Sequence, residues 1–216
     1  YIEKRLKAGF SSTPSPIVPV DHAEEILLTA KAMRDEAFGN RQWLQALRLA
    51  IFRVVSAADM ISGRRTADLC RMITTQVWTV GDDTVAAFGE RKNWGSTNNI
   101  LFFTGGEDTL SELNFTSQLR EYYQFLGQLG LTTVGGKYTF PAPRRRAATD
   151  VEPDASVPDV VLDKEDYFST DTANTILAKV CENMGMSTAY KVHGMGRASK
   201  AVAISSNLMG DQERQH

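Results

Sequence analysis

The chain is 216 residues long, 42% hydrophobic and 23% charged, with 24 lysines and arginines against 26 aspartates and glutamates. That is enough to bury a core of ordinary domain size, and the composition excludes a disordered, collagen-like or disulfide-stapled protein. Apolar runs such as Ile100–Phe103 are far too short to cross a bilayer, and no basic start leads into an apolar stretch with a cleavage site, so neither a membrane span nor secretion is expected.

Charge is informative by segment. Residues 1–146 carry 18 basic and 15 acidic groups, residues 147–171 carry one and eight, and residues 172–216 carry five and three. A near-neutral total therefore hides a modestly basic body and a sharply acidic strip.

Taken in order, the elements begin with an N-terminal arm over 1–20. Ile2, Leu6 and Phe10 fall at i, i+4 and i+8 on one face of a short helix, with Lys4, Arg5 and Lys7 around them. Pro14, Pro16 and Pro19 then favour an extended course of roughly 30 Å, which makes the apolar face a hook on a tether. From Asp21, which forms a capping box with Glu24, the apolar period becomes helical through Ile26, Leu27, Ala30, Met33 and Phe38, and Gly39 ends it. Asn40 caps a second helix with Trp43, Leu44, Leu47, Ile51, Val54 and Val55 inside. Ser62–Gly63 breaks that helix, and a third runs from Thr66 through Leu69, Cys70, Ile73 and Val77.

Asp82 and Asp83 cap a short helix through Phe88, while periodicity leaves Ile100–Phe103 open between a strand and a buried turn. Thr109 and Glu112 open a helix over Leu113, Leu119, Tyr122 and Leu126, closed by Gly127 and Gly130. Leu131–Val134 and Lys137–Phe140 flank Gly135–Gly136 as a β-hairpin over 131–140. The helical core thus spans 21–146, an acidic linker 147–168, and a C-terminal helical arm 169–216, with Ile176, Leu177, Val180 and Cys181 on its apolar side. The expected fold is mainly α, a helical core bundle with one small β-hairpin and extended N- and C-terminal arms.

Cys70 and Cys181 read as reduced core thiols, and no histidine has a partner at metal-ligand spacing, so neither metal nor cofactor is expected. The run from Gly130 to Lys137 spaces its glycines one residue too far for a phosphate loop and puts Tyr138 where Ser or Thr is needed. Gly81–Asp82–Asp83 is better explained by helix capping than by metal binding. No arrangement sets a nucleophile beside a base, so no enzymatic activity or small-molecule substrate is expected.

What remains is cationic. Arg64, Arg65 and Arg71, with Arg91 and Lys92 next to Trp94 and the polar run 95–99, are the residue types a sequence-indifferent single-strand groove requires, and Arg41 and Arg48 extend the set. Hook and tail each offer an apolar stripe on a spacer, a means for identical subunits to clasp head-to-tail. The layout therefore points to a viral-type coat or nucleocapsid subunit that polymerises through Ile2, Leu6 and Phe10 and binds single-stranded RNA, placed in a virion or else in the cytoplasm. Coat proteins of flexible filamentous viruses share this general plan, though no family signature accompanies it. Two other readings compete: a helix–turn–helix DNA-binding regulator over 41–80 with Arg64, Arg65 and Arg71 on the reading helix, and a non-enzymatic adaptor using the acidic strip.

Overall fold

A computed structural model describes residues 16–87, 100–103, 111–147, 158–187 and 190–197. Its centre is a pair of long helices, α1 (Val20–Gly39) and α2 (Trp43–Ser62), joined by Asn40–Gln42 and packed along their length as antiparallel neighbours. From Ala46 to Met60 every residue of α2 except Arg48 is buried, because neighbours cover it on several sides. They are α3 (Thr66–Cys70), α4 (Phe115–Gln128) and α5 (Thr170–Asn183), the last of which also packs on α1.

The fold is mainly α with two small antiparallel sheets. Strands β1 (Val77–Val80), β2 (Asp83–Ala87) and β3 (Ile100–Phe103) pair in that order, and β4 (Pro141–Arg145) pairs with β5 (Val160–Tyr167). One apolar core runs through Ile26, Leu47, Phe52, Phe115, Tyr122, Phe140, Phe168 and Leu177. Cys70 and Cys181 lie in it as free thiols, and burial pushes the Cys70 pKa up to about 12.

A charged lock crosses that core. Arg53 of α2 reaches Glu112 at 2.6 Å and Glu121 of α4 at 3.0 Å, and Arg34 of α1 reaches Glu121 at 2.6 Å. Gln118 donates to Glu112 at 3.1 Å, and Lys31 approaches the same carboxylate at 3.6 Å. Three helices are thereby held in one register. With Arg53 only 1% exposed, the pairing is obligatory rather than decorative.

Several expectations need correction. The third helix ends at Cys70, not near Val77. Past it the backbone is captured by a distant segment, Thr139 N donating to Met72 O at 2.8 Å and Thr74 N to Lys137 O at 3.1 Å. Asp82 and Asp83 cap no helix. The β-formers Val77, Trp78 and Val80 pair with 83–86 across a two-residue loop, and Gly81 (φ 57°) supplies the positive φ of a primed hairpin turn. The turn foreseen at Gly135–Gly136 is present, Gly136 N donating to Thr133 O at 2.9 Å with Gly135 at φ 77°. Its flanks do not pair with each other, because Lys137 bonds instead to Lys164 and Thr74, so 131–140 holds a turn and not a hairpin. The stretch 147–168, expected as an acidic linker, contributes β5, while 148–157 lies outside the described residues.

Helix starts differ too. Pro19 and Gln42 hold the N-cap positions of α1 and α2 without a side-chain cap, so neither Asp21 nor Asn40 caps. The α4 cap is Asn114, whose side chain accepts from Ser117 N, and Glu112 serves the charged lock instead. Ser169 caps α5 in the same manner.

The two ends of the described chain meet. Val18 is buried and donates its N–H to Gly194 O at 3.2 Å, while Val192 N donates to Asn174 of α5 at 3.0 Å. The tether expected over Ser11–Val20 is therefore pinned to the body from Val18 onward. The hook residues Ile2, Leu6 and Phe10 and the tail beyond Arg197 lie outside the described residues.

Candidate nucleic-acid interface

Of the six basic and aromatic residues singled out in the sequence, Arg91, Lys92 and Trp94 lie outside the described residues. Arg64 follows the left-handed Gly63 that ends α2 and packs close to Gly196, while Arg65 is exposed at the N-cap of α3. Arg71 is engaged elsewhere: it donates to the Tyr167 hydroxyl at 2.8 Å, and its guanidinium lies 5.0 Å from the centre of that ring. Glu165 and Asp166, both exposed, precede Tyr167 on β5, so this corner is poorly suited to phosphate. The reading helix of a helix–turn–helix is not formed. Its counterpart α3 has five residues, of which Thr66, Asp68, Leu69 and Cys70 are buried.

Cations converge instead at the pole where α1 turns into α2. A groove of about 450 Å³ is lined by Arg41, Arg48, Arg145 and Lys179, with Asp159 as its one carboxylate. Each cation has a structural reason to be there. Arg48 is the one residue from Ala46 to Met60 of α2 that the core does not bury, and its Nε is shielded from solvent without a hydrogen-bond partner. Arg145 is brought in by the end of β4, opposite Val160. Lys179 ends a line on α5 with Thr172, Thr175 and Ile176, spaced so that all four share one helical face.

Arg41 is the most constrained. Gln42 N donates to Ala37 O at 2.8 Å and Arg41 N to Phe38 O at 3.0 Å, the bond pattern of a Schellman ending for α1. That motif puts its next residue in the left-handed region, where glycine is the usual choice. Here Arg41 takes it at φ 57°, at a cost of about 1 kcal/mol.

The wall between these cations is partly aromatic and amide. Trp43 is half-buried and meets Phe38 edge-to-face at 5.2 Å, and Gln42 and Gln45 flank it on the exposed side of the helix start. Met33, Leu44, Leu49 and Ile176 give the groove an apolar floor. Four fixed cations against one carboxylate, beside an indole and two amides, suit a flexible polyanion with stackable rings. The lining holds no histidine or cysteine. Among the described residues no group of His, Cys, Asp or Glu side chains converges to hold a metal.

Arg41 and Arg48 were legible from their spacing on one helix. Arg145 and Lys179 carried no such signal, since the first follows the prolines at the end of the expected core and the second lies on a separate helix in the C-terminal arm. No protein-family profile matches the sequence, and no curated protein matches it either.

Proposed function

We propose that the chain is a non-enzymatic coat or nucleocapsid subunit that packs with copies of itself around single-stranded RNA and binds that RNA without regard to sequence. The observation that carries this reading is the convergence of Arg41, Arg48, Arg145 and Lys179 from three separate parts of the chain onto one groove beside Trp43. Phosphate contacts made by such cations are indifferent to base identity, and the indole accepts any base on its face. A few contacts per subunit suffice when many subunits line one strand, because linkage multiplies weak affinities. The overall charge of −2 fits close packing of identical bodies, which a strongly charged subunit would resist.

The test is binding of full-length protein to fluorescein-labelled oligouridylate by anisotropy across a salt series, with negative-stain micrographs of the same samples. Four phosphate contacts on a single strand predict a log–log salt slope of about −3, and Arg48→Ala with Lys179→Ala should flatten it by about 1.4. Assemblies that carry RNA support the reading. A monomer with no RNA affinity at low salt, or one that selects a duplex sequence, overturns it.

A further inference from the structure

The three-stranded sheet has one face on the core and one face that no other described element covers. Thr84, Ala86 and Phe103 point inward and are buried, packing toward α4 through the Thr84–Thr116 hydroxyl contact at 2.9 Å and the Phe103–Phe115 ring pair at 4.1 Å. The period of two then turns the alternate set outward: Trp78, Val80, Asp83, Val85, Ala87 and Ile100, joined across the strands by the pairs Trp78–Val85, Val80–Asp83 and Ala87–Ile100. An outward face of an antiparallel sheet is ordinarily polar. This one leaves Trp78 50%, Val80 71% and Ile100 54% exposed, and β1, which carries two of them, is an edge strand without lysine or proline to protect it.

From this we infer that the outer face of β1–β3 is the seat for the N-terminal segment of a neighbouring copy, with Ile2, Leu6 and Phe10 lying on Trp78, Val80 and Ile100. The inference rests on the self-assembly part of the proposed function and names the surface through which it works. Size agrees: the short helix that the sequence predicts would separate Ile2 from Phe10 by about 12 Å, and two strand spacings carry β1 to β3 over about 10 Å. Charge agrees as well. Lys4, Arg5 and Lys7 surround the stripe with Glu3 as the one acid among them, whereas the sheet's outward set carries Asp83 and no cation, and Asp82 stands in the turn beside it. Asp82 pairs with Arg120 at 3.0 Å and remains exposed, able to take a second cation. The anchor at Val18 leaves the residues before Pro16 as the connecting length, roughly 20 Å for an extended six-residue stretch from Phe10.

Two single-cysteine variants of the full chain, Phe10→Cys and Val80→Cys, test this when mixed and oxidised mildly. A disulfide-linked dimer that forms in the mixture and in neither protein alone is the expected result. No mixed dimer, or a bridge that forms only within one chain when both cysteines share it, overturns the inference. A second variant, Trp78→Ser with Val80→Ser, should raise the concentration for half-assembly by at least about tenfold while oligouridylate affinity of the unassembled protein and the helical circular dichroism stay unchanged. Normal assembly of that variant sinks the sheet as the seat and leaves RNA-directed self-assembly standing. A wild-type chain that never self-associates sinks the proposed function itself.

Discussion

The Val18 N–H and the Gly194 carbonyl, 176 residues apart in the chain, share a hydrogen bond of 3.2 Å that ties the first described segment to the last. This tie lies beside the start of α1 and the end of α2. The groove lies at the opposite end of that helix pair, about 30 Å away for helices of 20 residues.

That junction makes Gly194→Ala informative. A Cβ there would stand 2.5 Å from the Pro16 carbonyl, a backbone atom with little freedom to retreat. The variant should lose about 1–3 kcal/mol in urea unfolding and expose amides of 16–18 and 190–197 to faster hydrogen exchange. Gly127→Ala is the control: it sits inside α4 with nothing within 4 Å of its Cβ position, and should be neutral or stabilising by up to about 1 kcal/mol. Equal behaviour of the two variants would show that the tie between the ends carries no stability.

The charged lock predicts an asymmetry between single and paired substitutions. Arg53→Met strands Glu112, 7% exposed, with only Gln118 and the more distant Lys31, and should cost about 3–5 kcal/mol. Adding Glu112→Met removes the stranded charge and should recover a large part of that loss. Denaturant unfolding of both variants measures it. A double variant as unstable as the single one would mean that shape, not charge, makes Arg53 necessary.

Much of this architecture was written locally, and what was not has a physical reason. Periodicity of Ile26, Leu27 and Ala30, with Gly39 and Gly63 as stops, was enough to place α1 and α2, since a helix is closed by bonds within its own segment. β1 was mistaken for helix because Leu69, Ile73 and Val77 keep a helical period. What stops the helix is the bridge from Ile73 to Tyr138, which no local pattern contains. The charged lock was invisible for the same reason, as Arg34, Arg53, Glu112 and Glu121 meet only after three helices pack. For the groove, Arg41 and Arg48 lie seven residues apart in the sequence, but folding alone brings Arg145 and Lys179 to them.

Glu121 gives the fold a pH signature. Burial works against its ionisation, yet hydrogen bonds from Arg53 and Arg34, with their charges, outweigh that and hold its carboxyl below the usual carboxylate range. The folded chain thus binds this proton less readily than the unfolded one. Its stabilising contribution is fully present above the ordinary carboxylate value and drains away as pH falls through the lowered folded value. Melting temperature should accordingly fall between about pH 5 and pH 3, and Glu121→Gln should melt lower at neutral pH but show a shallower acid decline. An acid decline of unchanged steepness in the variant would assign it to other carboxylates.

Arg41 offers the sharpest separation of structure from function, because the two pull in opposite directions at one residue. Its left-handed φ of 57° ends α1 in a geometry that glycine adopts without strain, and its side chain lines the groove without a role in the core. Arg41→Gly should therefore stabilise the fold, by up to about 1 kcal/mol, while removing one cation from the proposed RNA path. The expected pair of readings is a higher urea midpoint with unchanged m value, and an oligouridylate salt slope shallower by about 0.7. Arg41→Lys serves as the companion: it keeps the charge and the strained backbone, so it should hold the salt slope without the gain in stability. If Arg41→Gly raised the urea midpoint and left RNA binding untouched, the arginine would be idle in the groove and the four-cation path would have to be drawn without it.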